Sequence, residues 1–389
     1  MTMLHNEIAQ TEVIESRKAI CDTVRLQIKF GDFEIIEDKF EPSAEKVIKF
    51  YGRGKMVSYQ YMNLTDKKMH HYKPRLALKS EARNGGRKVF LYIDLSLPKL
   101  LYGNNLQEVC DQDFKPLIKK LCGEMLEMGV LVKPNVLAHA HVCAFHSCKN
   151  IVLPKNISTQ YVIEKIGKIS LGARLGTGHT DYLNGGHCAR FHTNTYEIAV
   201  YDKIADIKQA HISPKRCVDH KSHRDFQDIN IEELNDLQVF RIEIRLNNAK
   251  ILRNKLAEAG ISFESGHEIT FCDIFKSEVS SKLNILFWQK IQEEGKQVYL
   301  LEDSSENMLL HLGNIKLLKK FEFIGMAKVI NDCGAPYVRR LMGKNVTALK
   351  LFNLIKNYEP DDKILMNIFE GIGKKIAKND VIILPDKQI

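Results

Sequence analysis

The stretch VFRIEIRL, Val239 to Leu246, constrains the chain most. Alternate residues of a β-strand point to opposite faces. Phe240, Ile242, Ile244 and Leu246 therefore form one side, and Val239, Arg241, Glu243 and Arg245 the other. The first side is core. The second sets a carboxylate between two guanidiniums. Such a face is either solvated and held by an ion pair, or it is a site. In the second case Glu243 is a metal ligand, and Arg241 and Arg245 bind phosphates with their planar, bidentate donors.

Other segments supply partners for this strand. VRLQIKF (Val24 to Phe30) alternates as a half-buried strand does. KVFLYIDLSL is apolar except for Asp94. VLAHAHVCAF and TYEIAVYDK also read as strands. Phe114, Leu117, Ile118, Leu121 and Leu126 recur at helical spacing, and Gly129 ends that helix. Ser158 is placed to cap a helix in STQYVIEKIGKI. Further helices are expected near Ile204 to His211 and from about Asn248 to Gly260. Between them lie a turn signal at Asn84-Gly85-Gly86, a glycine-rich loop GTGHTDYLNGGH and a basic loop SPKRCVDHKSHRDF. This alternation predicts an α+β fold over roughly residues 20–260, an antiparallel or mixed central sheet flanked by helices.

Beyond Gly260 the strands fade. Residues 311–380 hold 13 Lys or Arg against 7 Asp or Glu. GMAKVINDCGAPYVRRLMGKN reads as short helices around Gly334-Ala335-Pro336, a candidate basic helix–turn–helix. The expected division is an N-terminal segment 1–80 that is part of or appended to the catalytic domain, a catalytic domain 81–262, and a basic, mainly helical module 263–389.

Composition excludes several classes. No apolar run approaches the roughly 20 residues that span a bilayer. MTMLHNEIAQTEVIES carries acidic residues and no apolar signal core, so a cytoplasmic protein is expected. The nine cysteines are scattered without a CxxC pair, which leaves no zinc ribbon or disulfide scaffold. A net charge of +9 permits nucleic-acid binding without requiring it. There is no GxxxxGK[ST] phosphate loop and no GxSxG nucleophile turn.

Two more groups carry possible chemistry. In His139-Ala140-His141, alternation puts both histidines on one strand face and His146 on the other, and two imidazoles can grip a divalent metal. In TYEIAVYDK, Tyr196 and Tyr201 are five apart and face opposite ways, while Lys203 shares a side with Tyr201. A phenol ionises near about pH 10 and becomes a nucleophile only when a cation or base assists. The run is thus either a strand end or a tyrosine nucleophile with its helper.

SLPKLLYGNN, FHSCKNI, DYLNGGHCARFHTNTYEIAVYDKIADI, ISPKRC and VFRIEIRLNNAKILRNKL follow one another over roughly residues 85–260. Together they resemble the phage and plasmid rolling-circle replication initiators akin to the gene II protein of filamentous phages. The resemblance implies a replication-initiator endonuclease-like fold and strand-specific nicking of origin DNA. A tyrosine would hold the 5′-phosphate covalently while the 3′-OH primes a host polymerase, and the strand is later rejoined. It implies Tyr201 as nucleophile, Lys203 as companion and a role for His187. Glu243, His146 and Asp94 would bind Mg²⁺ or Mn²⁺; His139 and His141 lie off the positions that match the family and stand, on their own spacing, as the fallback pair. Arg241, Arg245, Lys149 and Arg190 would bind phosphates. The implied partners are supercoiled and single-stranded origin DNA, a host helicase and a polymerase, in the cytoplasm of a bacterial host. Two other readings are a non-catalytic origin-binding regulator with a degenerate nuclease domain, and a metal-dependent nuclease without a covalent step.

Overall fold

The computed structural model describes residues 19–36, 39–40, 47–51, 56–62, 72–83, 86–171, 176–179, 187–212, 234, 237–299, 316–356 and 364–379. The basic run 213–226 and most of the glycine-rich run after His179 lie outside them.

A ten-stranded sheet dominates the described residues. The strands are β1 (Cys21–Lys29), β2 (Phe33–Ile35), β3 (Val47–Tyr51), β4 (Met56–Met62), β5 (Arg75–Arg83), β6 (Gly86–Ser96), β7 (Val130–Val132), β8 (His141–Val152), β9 (Gly176–His179), β10 (Cys188–His192), β11 (Tyr196–Asp202) and β12 (Val239–Leu246). The sheet runs β3-β4-β5-β6-β1-β8-β12-β11-β10-β9, and β2 and β7 pair separately. Every ladder is antiparallel. β1 lies between β6 and β8, so the first strand is central, and residue 80 falls inside β5 rather than at a boundary.

The helices are α1 (Leu97–Tyr102), α2 (Phe114–Glu127), α3 (Pro134–Ala138), α4 (Thr159–Gly167), α5 (Lys203–Ile212), α6 (Ala249–Glu258), α7 (Phe271–Ile274), α8 (Ser277–Tyr299), α9 (Leu317–Cys333), α10 (Ala335–Met342), α11 (Val346–Lys356) and α12 (Ile364–Lys378). Ser158 precedes α4 as expected but its side chain caps nothing, whereas Asn248 caps α6 through the Ile251 N–H. The expected strand over VLAHAHVCAF starts late. Pro134 sits in the first turn of α3 and its fixed φ favours a helix start. His139 ends that short helix and His141 opens β8, so the two do not form a pair on one strand.

The apolar side of β12 explains the packing. Phe240, Ile242, Ile244 and Leu246 are all buried, and each stabilises the fold by about 1.5–3 kcal/mol. They join Ile198, Val200 and Phe145 from the neighbouring strands in one core with Trp288 of α8 and Phe369 of α12. Trp288 packs edge-on to Phe240 at 6.0 Å between ring centroids, and its indole N–H donates to the Phe369 carbonyl at 3.2 Å. Residues 263–389 therefore do not stand apart from the sheet. α8 and α12 cover its back, while α9, α10 and α11 have a small core of their own. Among the described residues no helix is long and apolar enough to cross a membrane.

Candidate active site on the polar face of the sheet

Register carries the polar alternation of β12 across the sheet. Arg241, Glu243 and Arg245 stand opposite Tyr201, Ala199 and Glu197 of β11. On the other side they stand opposite Asn150, Cys148 and His146 of β8. Cys188 and Arg190 of β10 continue the rows beyond Tyr201 and Ala199. Cross-strand partners share a face. One face thus collects Tyr201, Glu243, Arg241, Arg245, His146, Glu197 and Arg190.

Glu243 is the centre. It is 4% exposed. Arg245 donates to both its oxygens, Nε to Oε1 at 2.9 Å and Nη2 to Oε2 at 3.2 Å. The Tyr201 hydroxyl donates to Oε2 at 2.8 Å. His146 Nδ1 is 3.6 Å from Oε1, an electrostatic contact beyond hydrogen-bond reach, and its Nε2 is 3.3 Å from Asn247 Oδ1. Arg241 is 1% exposed, with Nε 3.8 Å from Oε2 and Nη2 3.2 Å from Asp22 Oδ2. Arg245 also donates to Glu197 at 2.8 Å.

These neighbours set the protonation states. Burial alone would raise the Glu243 carboxyl. Arg245, with His146 and Arg241, outweighs burial and holds it well below its ordinary range. Burial pushes the Tyr201 phenol well above its ordinary value against the pull of Arg241, and the Glu243 charge adds to the rise. At neutral pH the pair is a neutral phenol donating to a carboxylate. Lys203 opens α5, is 1% exposed, and sits 3.2 Å from Asp206 and 5.9 Å from the Tyr201 ring centroid. Burial lowers its ammonium, partly offset by Asp206.

The remaining expected residues are not brought together with this cluster. Lys149 stands opposite Ile242 and so lies on the back of the sheet, buried in an ion pair with Glu108. It is not placed to touch a phosphate bound near Glu243. His187 is 3.4 Å from Asp202, whose register partner is Phe240, so it belongs to the side away from Tyr201. Tyr196 also faces that side and packs on Phe287 at 5.9 Å. Asp94 pairs with Arg25 and lies three strands from β12, roughly 14 Å at the usual strand spacing. His139 bonds the Asn135 carbonyl at the end of α3.

The metal set Glu243, His146 and Asp94 therefore does not fit one ion. Asp94 is too far, and both Glu243 oxygens already accept hydrogen bonds. Among the described residues no three His, Cys, Asp or Glu side chains converge as a metal group. Arg245 occupies the bidentate position on Glu243 that a cation would take.

Asp22 and Glu197 complete the cluster and were not singled out from the sequence. Glu197 had a signal, because alternation in YEIAVYD puts it on the Tyr201 side. Asp22 had none, since it reaches Arg241 only through the pairing of β1 with β8. Next to Arg241 a cavity of about 10 Å³ has room for one water at most. A larger ligand must approach over Arg245 and His146, whose side chains are 25% and 21% exposed. Comparison with protein-family models, with curated proteins and with solved structures finds no match to this chain.

Proposed function

We propose that this chain is a rolling-circle replication initiator with an endonuclease-like sheet. It would nick one strand of origin DNA through Tyr201 and later rejoin it. The observation that carries the reading is the Tyr201 hydroxyl donating to Glu243 amid Arg241, Arg245 and Lys203. In the forward step the phenol oxygen bonds to phosphorus and the P–O3′ bond breaks. The phenol proton passes to Glu243, and the departing 3′ oxygen takes a proton from water. Two guanidiniums and an ammonium offset the charge that gathers on the phosphoryl oxygens. The aryl ester conserves the bond energy, so attack by the 3′-OH reverses the step. Origin DNA is the substrate, a host helicase and polymerase act downstream, and the cytoplasm of a bacterial host is the compartment.

Covalent capture tests this. The full chain is incubated with supercoiled and single-stranded origin DNA, and an SDS-stable adduct is sought. Wild type should form it and Tyr201→Phe should not. Equal adduct from Tyr201→Phe would sink the assignment. Parallel reactions in Mn²⁺, Mg²⁺ and EDTA report whether an ion is needed. The close pairing of Glu243 also suits a second reading, a non-catalytic origin-binding regulator, which predicts binding without adduct in every buffer.

A further inference from the structure

Residues 316–356 contain nine Lys or Arg against only Glu322 and Asp332, in a chain whose whole net charge is +9. They form α9, α10 and α11, which enclose Phe323, Ile330, Val338, Phe352 and Ile355 in a core separate from the sheet's. The cations stay outside: Lys319, Lys328, Arg339, Arg340, Lys344 and Lys350 are exposed. Such a surplus on one small unit is complementary to a polyanion.

The helix geometry narrows the polyanion. α10 and α11 are joined by three residues, Gly343, Lys344 and Asn345. Gly343 adopts φ +53°, which a residue with a side chain takes up reluctantly. Asn345 starts α11 by accepting from the Ala348 N–H at 3.0 Å. Two helices with a short glycine turn form the frame that lays a second helix in the major groove of duplex DNA. The outer side of α11 suits that place. Thr347, Lys350 and Asn353 are exposed at three-residue steps from its N-terminal end and present donors and acceptors, with Val346 and Leu354 exposed beside them.

We propose that α9, α10 and α11 form a duplex-DNA-binding unit. α11 lies in the major groove, and Arg339, Arg340 and Lys344 contact flanking phosphates. This requires binding alone and does not depend on the chemistry proposed for Tyr201. Exposed Leu318, Phe321 and Leu341 would also suit an anionic lipid surface; the polar row on α11 and the turn favour the duplex.

The test uses the full chain and a labelled duplex of random sequence, read by fluorescence anisotropy over a salt series. The double variant Arg339→Glu, Arg340→Glu should bind about tenfold more weakly and lower the log Kd against log salt slope by about two. Lys350→Gln serves as the milder second variant, and it should weaken duplex binding with an unchanged thermal melt. Wild-type affinity and slope in both variants overturn the proposal. So does a result in which vesicles containing anionic phospholipid lose binding in the variants while the duplex does not.

Discussion

Glu243 is a single carboxylate that answers to two guanidiniums, an imidazole and a phenol. Replacing it by Gln leaves the buried Arg241 and the partly exposed Arg245 with less counter-charge, at a cost of about 3 kcal/mol in urea unfolding. The loss should depend on pH in a defined direction. The folded carboxyl ionises well below the unfolded value of about 4.3, so its contribution is complete above that value and fades as pH falls through the folded one. The stability gap between wild type and Glu243→Gln should therefore narrow as pH drops from about 5 toward about 3. A gap that stays constant over that range would show that Glu243 is not held ionised by its neighbours. Much of this cluster was legible beforehand, because β alternation is a local rule. It put Arg241, Glu243 and Arg245 on one side, whereas Lys203 opens α5 just past the strand and comes near the Tyr201 ring from the helix. Asp22 was illegible because its contact with Arg241 spans more than two hundred residues of chain.

At the scale of elements, two expectations met competing rules. His139 and His141 look like alternate strand residues, but Pro134 starts a helix just before them and the strand begins only at His141. The resemblance implies Lys149 as a phosphate ligand, yet the β8 alternation turns it to the back of the sheet. There it meets Glu108, whose second oxygen accepts the Asn150 N–H at 2.7 Å. Sequence pattern gives the side of a strand but not which side will be covered. A Lys149→Met variant separates the two roles. It strands the Glu108 charge, so stability should fall by roughly 3 kcal/mol or more. Affinity for single-stranded DNA should stay at the wild-type value once unfolding is allowed for. A stable variant with weakened DNA binding would return Lys149 to the phosphate site.

For the whole molecule, the question is what covers the sheet. Fading strand patterns after Gly260 suggested a detachable C-terminal module. Hydrophobic pattern alone could not tell a helix that covers the sheet from one that packs on other helices. The structure divides them: α8 and α12 bury Trp288 and Phe369 against the sheet core, and Asn379 after α12 closes hydrogen bonds with Ala19 at the entry to β1. α9, α10 and α11 have a small core of their own, joined to the rest where α11 touches α8 and the Ala335 N–H donates to the Lys168 carbonyl at 2.9 Å. A chain ending at residue 262 would leave Phe240, Ile242 and Ile244 facing water on the strand that carries Glu243. At about 1.5–3 kcal/mol for each of these side chains, losing that cover removes an amount comparable to the 5–15 kcal/mol net stability of a typical domain. The truncated chain should show no cooperative thermal transition and no Tyr201 adduct. A chain lacking only residues 316–356, with a flexible linker in their place, should keep a cooperative melt. It should lose duplex affinity while keeping adduct formation on a single-stranded origin. If the chain ending at 262 melts cooperatively and forms the adduct, the sheet holds its site without α8 and α12, and the packing of Trp288 and Phe369 is dispensable to it.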